Sequence, residues 1–256
     1  MRVFRFEKNE ARRLETIKRN EIYISSPDNF NDLDDCRIRG IFTPDFDTQF
    51  HGKLMECINI LYPKSEANYF PLPQKILDGL KDIVGNITFS SSSLDDKIRR
   101  EINQNSHFYK IREYLRKNTG VCCFFKDMPN HPLMWAHYAH SHTGFCVEYE
   151  IDNIEAPFYE VNYSSHLPYP SINELLLCPE ESFLGILTTK TLEWNYEKEV
   201  RYVKLNALLD GENGKAIPLP SPINPVRLIT GQKFNHSENK DLIDSLGLEV
   251  VPYKAM

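Results

Sequence analysis

The sequence predicts an α+β domain: a mixed, mainly antiparallel central sheet with peripheral helices and a helical insertion. Three observations carry that expectation. Short strand-like runs are spread along the whole chain and alternate unevenly with helical segments. The continuous apolar run Gly120–Phe125 has strand length and no polar face, as a central strand buried on both sides requires. From about residue 44 to 118 the character changes, with prolines and lysines scattered through weakly periodic segments, and this stretch is expected to be a helical insertion packed on the main body. A chain of 256 residues is long enough for one large core, and a single domain is the expectation.

Taken in order, Val3–Phe6 is a short strand. It leads into Glu10–Asn20, where Ala11, Leu14, Ile17 and Lys18 follow helical spacing. Glu21–Ser26 is a strand with Ile22 and Ile24 on one face and Tyr23 on the other, ended by Pro27. Asn29 to Asp35 is a polar, turn-prone loop directly after a strand, the kind of place where function is carried. Within the insertion, Ser90–Ser93 reads as a loop and helix cap, too short to separate two bodies. After Gly120–Phe125 come a helical turn from Pro132, a stop at Gly144 and a strand over Phe145–Tyr149. Val161–Tyr163 opens a further strand and Glu180–Thr189 a short helix. A strand through Trp194 to Leu205, a loop or hairpin over Leu208–Pro225, a strand at Arg227–Gly231, a helix over Ser237–Ser245 and a closing strand at Leu248–Pro252 complete the chain.

Composition removes several classes. A formal net charge of −6 argues against a protein built mainly to coat nucleic acid. No apolar run approaches the roughly 20 residues needed to span a bilayer. The start Met1–Phe6 lacks the apolar segment and cleavage site of a signal peptide, so a cytoplasmic location without membrane contact is expected. Six cysteines show no CxxC pair and are expected to be reduced, with Cys122, Cys123 and Cys146 acting as small hydrophobes. The phosphate-loop, dinucleotide-fold and hydrolase-elbow motifs are all missing.

What remains for chemistry is dispersed. On a strand, Glu197, Glu199 and Arg201 would share one face, and two carboxylates side by side need an arginine, a ligand or a proton to compensate them. His137 and His140 fall on one helical turn with His142 close behind, which makes a metal site conceivable, although no acid stands at the spacing of a zinc hydrolase. Trp135 beside a polar turn offers an aromatic wall for a planar ligand. If there is one site, Arg5, the Asn31–Asp32 loop, the Trp135–His142 turn and the Glu197–Glu199 strand must converge on it.

Leu133-Met134-Trp135-Ala136-His137-Tyr138-Ala139, with His142, Gly144 and Phe145, resembles the central signature of the bacterial DUF2971 family, whose function is unknown. Tyr23 through Phe30-Asn31-Asp32 and Trp194-x-Tyr196-Glu197-x-Glu199-x-Arg201 resemble its other two signatures, in the same order. Leu33 and Asp34 depart from the proline and aromatic usual there, while Asp35 keeps the closing aspartate. An early strand with arginine, a second strand ending in serine and a late strand with Glu-x-Glu are, more distantly, similar to ADP-ribosyltransferases. That resemblance implies NAD as the consumed substrate. Glu199 would be the catalytic carboxylate and Glu197 would orient the acceptor. Arg5, Ser26, Asn31, Asp32, Trp135, His137, Tyr138 and Arg201 would surround the nucleotide. The implied role is a toxin or antiphage effector modifying a nucleic acid or protein. Two other readings compete: a metal-dependent hydrolase or nuclease using His137, His140, His142 and Asp32, and a non-catalytic sensor or interaction domain in which Glu199 pairs structurally with Arg201.

Overall fold

The computed structural model describes residues 1–32, 35–36, 116–126, 130–152, 154, 157–168, 179–209, 211–221 and 223–254. The expected insertion at about 44–118 lies outside these, apart from residues 116–118, which are helical. The described chain is α+β, with a mixed, mostly antiparallel central sheet, as the strand pattern predicted.

Eleven strands are present among the described residues. They are β1 (Arg2–Glu7), β2 (Glu21–Ser25), β3 (Gly120–Lys126), β4 (Phe145–Ile151), β5 (Phe158–Glu160), β6 (Asn162–Ser164), β7 (Thr189–Thr191), β8 (Glu199–Lys204), β9 (Gly214–Pro218), β10 (Ile223–Thr230) and β11 (Glu249–Pro252). The helices are α1 (Ala11–Lys18), α2 (Pro132–Tyr138), α3 (Pro179–Leu187) and α4 (Lys240–Asp244). The main path of the sheet runs β11-β10-β4-β1-β3-β2-β9. Strand β8 pairs with β3 along its length, from Gly120 opposite Lys204 to Phe125 opposite Glu199, and carries β5 on its far side. Among the described strands, only β10–β11 and the small β6–β7 pair are parallel.

Because β8 takes up one whole edge of β3, the other edge is shared. β1 pairs with its end at Phe125 and Lys126, and β2 with its beginning at Val121. Between these points β1 leaves toward β4 and β2 toward β9, so the sheet forks. Alternation then sorts the side chains onto two faces. Val3, Ile22, Ile24, Cys122, Phe124, Val147, Tyr149, Val200 and Tyr202 join the larger core, against Leu14 of α1 and Ile243 of α4. Phe4, Phe6, Phe125, Cys146 and Ile229 turn the other way, against Met134 and Trp135 of α2. Glu199 and Arg201, opposite Phe125 and Cys123, lie on this second face.

Local chemistry departs from the expected elements in two places. Trp194 to Glu197 is not strand: Leu192–Glu197 forms a 3-10 helix, Lys198 takes a left-handed conformation at φ 45°, and the strand begins only at Glu199. After α2, His140, Ser141 and His142 are all left-handed, at φ 47°, 56° and 71°, so these residues and not Gly144 reverse the chain. Gly144 serves close packing instead. A Cβ there would collide with the carbonyl oxygen of Glu7, and one at Gly231 with that of His142.

Candidate functional site

On the second face, between α2 and α3, five charged side chains meet out of solvent: Asp35, Lys190, Glu197, Glu199 and Arg201, none more than 3% exposed. Three elements and a loop deliver them. β8 contributes Glu199 and Arg201, two residues apart and so on one face. The left-handed Lys198 turns the chain so that Glu197, at the end of the 3-10 helix, reaches the same place without being on the strand. Lys190 comes from β7 and Asp35 from the loop after β2.

Arg201 is the fixed centre. Its Nε and Nη2 donate to the two oxygens of Glu199 at 2.8 and 3.0 Å. Nη1 and Nη2 donate to those of Asp35 at 2.8 and 2.6 Å, and Nη1 also donates to the Leu187 carbonyl at 2.6 Å. Bidentate carboxylate pairing of this kind uses the planar fork that only arginine offers. Phe30 lies against the guanidinium with its ring centre 5.4 Å away. The Lys190 ammonium donates to Glu197 Oε2 at 2.7 Å and stands 3.5 Å from both Glu199 Oε2 and Asp35 Oδ2. The Tyr138 hydroxyl of α2 donates to Glu197 Oε1 at 2.5 Å, and the Asn31 side chain is hydrogen-bonded to the same hydroxyl. The backbone N–H of Glu199 donates to the Tyr163 hydroxyl at 2.8 Å.

Three carboxylates thus face two cations, and the electrostatics differ along the cluster. Burial works to raise the Glu199 carboxyl, but Arg201 and Lys190 outweigh it and hold it at about 2. Glu197 goes the other way: burial pushes its carboxyl above the ordinary carboxylate range, more than Lys190 draws it down. Burial and then the Glu197 charge push the Tyr138 hydroxyl up, so it stays protonated as a donor. Burial disfavours the charged form of Lys190, yet Glu199, Glu197 and Asp35 together raise it.

The Glu197 end is bordered by aromatic rings. His131 stacks on Tyr196 at 5.3 Å, Tyr196 meets Trp194 at 6.0 Å, Trp194 meets His137 at 6.3 Å, and His137 meets Tyr138 at 6.2 Å. None of the five is buried, so the chain of rings lies over the charged cluster toward the surface.

Of the residues expected at one site, Glu197, Glu199, Arg201, Tyr138 and Asn31 come together, and His137 joins the aromatic border. Four do not. Arg5 points to the opposite face, where it bonds Glu7, Cys122 and the Tyr23 carbonyl. Trp135 is fully buried in the core beside Phe6 and Tyr253, not a wall for a ligand. Ser26 caps the 3-10 turn Pro27–Asn29, accepting from the Asp28 N–H and donating to the Arg116 carbonyl. Asp32 stays in the loop, its carbonyl accepting from the Asp35 N–H at 3.3 Å. His142 stacks on Trp135 at 6.2 Å while His137 turns to Trp194, and among the described residues no three His, Cys, Asp or Glu side chains stand together as a metal set. Lys190 was missed. Its one signal is the alternation Thr189-Lys190-Thr191, strand-like and just ahead of the aromatic turn.

Among the described residues no helix is long and apolar enough to cross a membrane. No curated protein and no solved structure matches the chain. A family model described as a protein of unknown function, DUF2971, matches residues 134–202. That segment holds Tyr138, Lys190, Glu197, Glu199 and Arg201 together with the aromatic border from His137 to Tyr196, so the candidate site falls almost entirely inside it. Over residues 134–202 this chain is thus similar to the DUF2971 family.

Proposed function

We propose that the protein is an NAD-consuming, ADP-ribosyltransferase-like enzyme in which Glu197, rather than Glu199, is the reacting carboxylate. One observation supports this most: Glu197 is held between the Tyr138 hydroxyl and the Lys190 ammonium directly beneath the aromatic border, with its carboxyl raised by burial. Perturbed carboxylates beside aromatic surface are the usual setting for bond-making groups. Glu199 is engaged on both oxygens by Arg201 and serves to place β8. In the proposed reaction the bond between the ribose C1′ and the nicotinamide nitrogen breaks, and nicotinamide leaves neutral with the electron pair. A nucleophilic oxygen or nitrogen of a nucleic acid or protein then bonds to C1′ and gives up its proton to water. The carboxylate stabilises the positive charge that develops on the ribose, and Trp194, Tyr196 and His137 supply stacking surface for the planar ring. The buried free thiols of Cys36, Cys122 and Cys146 fit a reducing, cytoplasmic setting, and modification of a nucleic acid or protein fits a toxin or antiphage effector.

The test is release of nicotinamide from NAD by the purified chain, with Glu197→Gln as the variant. Loss of release with the fold retained is expected. Release that survives in the variant, or an inactive parent that does not bind NAD, refutes the reading. A second reading has its own support: the complete pairing of Arg201 with Glu199 and Asp35 suits a non-catalytic binding domain whose ion cluster is structural. In that case NAD or a related nucleotide binds and is not consumed.

A further inference from the structure

The cluster contains one cation that is fully committed and one that is not. Every N–H of Arg201 meets an acceptor: Glu199 twice, Asp35 twice and the Leu187 carbonyl once. Lys190 has one short bond, to Glu197 at 2.7 Å, while Glu199 and Asp35 both wait at 3.5 Å. Its ammonium also lies 4.6 Å from the centre of the Trp194 ring. A lysine is a compact charge with three rotatable donors on a flexible stem, so it can move between acceptors where a guanidinium fork is fixed.

We propose that Lys190 is the movable counter-ion of Glu197: it neutralises Glu197 in the free protein, and it shifts toward Glu199 and Asp35 when Glu197 gives its charge to a ligand or loses it. The inference rests on reading Glu197 as the reacting carboxylate. A carboxylate held by an ammonium has less field to offer an incoming positive centre, and the two carboxylates at 3.5 Å supply the ammonium with an alternative place. The groups that face Glu197 are the Tyr138 hydroxyl from α2, Lys190 from β7, Glu199 from β8 and Tyr196 beside it on the turn, with the Tyr163 hydroxyl of β6 near Glu199. Among these Lys190 is the one cation in bonding contact with Glu197, which makes it a positioning residue for that carboxylate.

The experiment follows Glu197 directly, independent of any reaction. In the full chain labelled with carbon-13 at the glutamate carboxyls, the Glu197 signal is identified by its loss in Glu197→Gln and titrated with pH. In Lys190→Met the midpoint is expected to rise by about one pH unit or more, because the contacting ammonium is gone. Lys190→Gln serves if the methionine variant does not fold, with the same rise expected. A second readout follows Lys190 through Trp194. In Glu197→Gln the ammonium loses its short bond, and the tryptophan emission is expected to change, with Lys190→Met marking a ring without its cation. An unmoved midpoint overturns the counter-ion role, and unaltered emission in Glu197→Gln overturns the movement. Failure of NAD turnover with both shifts present removes the NAD reading and leaves Lys190 in its place.

Discussion

Each oxygen of Glu199 accepts from Arg201, and each oxygen of Asp35 does the same, so removing the guanidinium leaves two buried carboxylates facing each other with only Lys190 between them. Breaking a buried pair from one side costs about 3–5 kcal/mol. Arg201→Ala is therefore expected to lower the unfolding free energy by that amount in urea titrations, and a loss under about 1 kcal/mol would mean the pair behaves like a surface one. The pH dependence carries two opposite slopes. Glu199 is depressed from 4.5 to about 2, so its contribution is fully present above about 4.5 and is lost as pH falls toward 2. That shift corresponds to roughly 3 kcal/mol. Glu197 is raised, so the folded state binds its proton more tightly and stability falls as pH climbs from the ordinary carboxylate range through its folded value. Stability curves of the parent and Glu199→Gln, apart above pH 4.5, should converge as pH falls from 4.5 to 2, where only the parent loses the Glu199 contribution. At this scale the sequence was informative about like-for-like spacing. Glu199 and Arg201, two apart, announce a shared face, but nothing local says that Lys190 and Asp35 are their partners, because those pairings depend on where β7 and the loop after β2 cross the sheet.

The turn that brings Glu197 beside Glu199 hangs on Lys198, a lysine in the left-handed region at φ 45°. An L-residue with a full side chain pays about 1–2 kcal/mol there and glycine does not. Lys198→Gly is expected to raise stability by about 0.5–1 kcal/mol, after the greater freedom of glycine in the unfolded chain is subtracted. Lys198→Val is expected to lower it; thermal melts of the two variants check the sign, and equal melts would show that the turn is not strained. Close approach governs the far end of α2. A Cβ at Gly144 meets the carbonyl oxygen of Glu7 and the backbone of Ala139, groups that cannot rotate away. Gly144→Ala is expected to cost about 1–3 kcal/mol and to loosen α2 from β1, visible as faster amide exchange at Phe6 and Phe145. The alternating and apolar runs predicted the strands well, since periodicity is a local property. The 3-10 helix from Leu192 to Glu197 was not predicted, because Trp194-x-Tyr196-x-Lys198 alternates like a strand until the left-handed residue breaks it. Three left-handed residues in succession after α2 were equally silent, since none is glycine or asparagine.

Arg5 shows how the whole sheet, and not its neighbours in the chain, decides a residue's part. It sits where β1 and β2 part company along β3, and its guanidinium bonds the Tyr23 carbonyl at 3.2 Å, the Cys122 sulfur and the Glu7 carboxylate at 2.6 Å. The Tyr23 carbonyl is on the β2 side of the fork and Glu7 on the β1 side, so one side chain closes the gap that strand pairing leaves open. In the sequence Arg5 is an arginine on an early strand, followed by a helix and a strand ending in serine, and that order suggested an anchor for a nucleotide. Alternation places it beside Val3 and Cys122, on the face opposite Glu199, where the α1 side of the sheet and not the charged cluster surrounds it. The two roles predict different phenotypes. If Arg5 holds the fork, Arg5→Met takes one donor from the part-buried Tyr23 carbonyl and from the Glu7 carboxylate, which keeps Arg13 at 3.5 Å, and lowers unfolding stability by about 2–4 kcal/mol, while NAD affinity, measured calorimetrically well below the melting temperature, keeps its parental value. If Arg5 holds a nucleotide, the affinity falls and the melting temperature stays. The separation of the two readouts follows from the topology: the site on α2, β7 and β8 and the fork between β1 and β2 share only β3, whose Cys122 side faces Arg5 and whose Cys123 side faces Glu199.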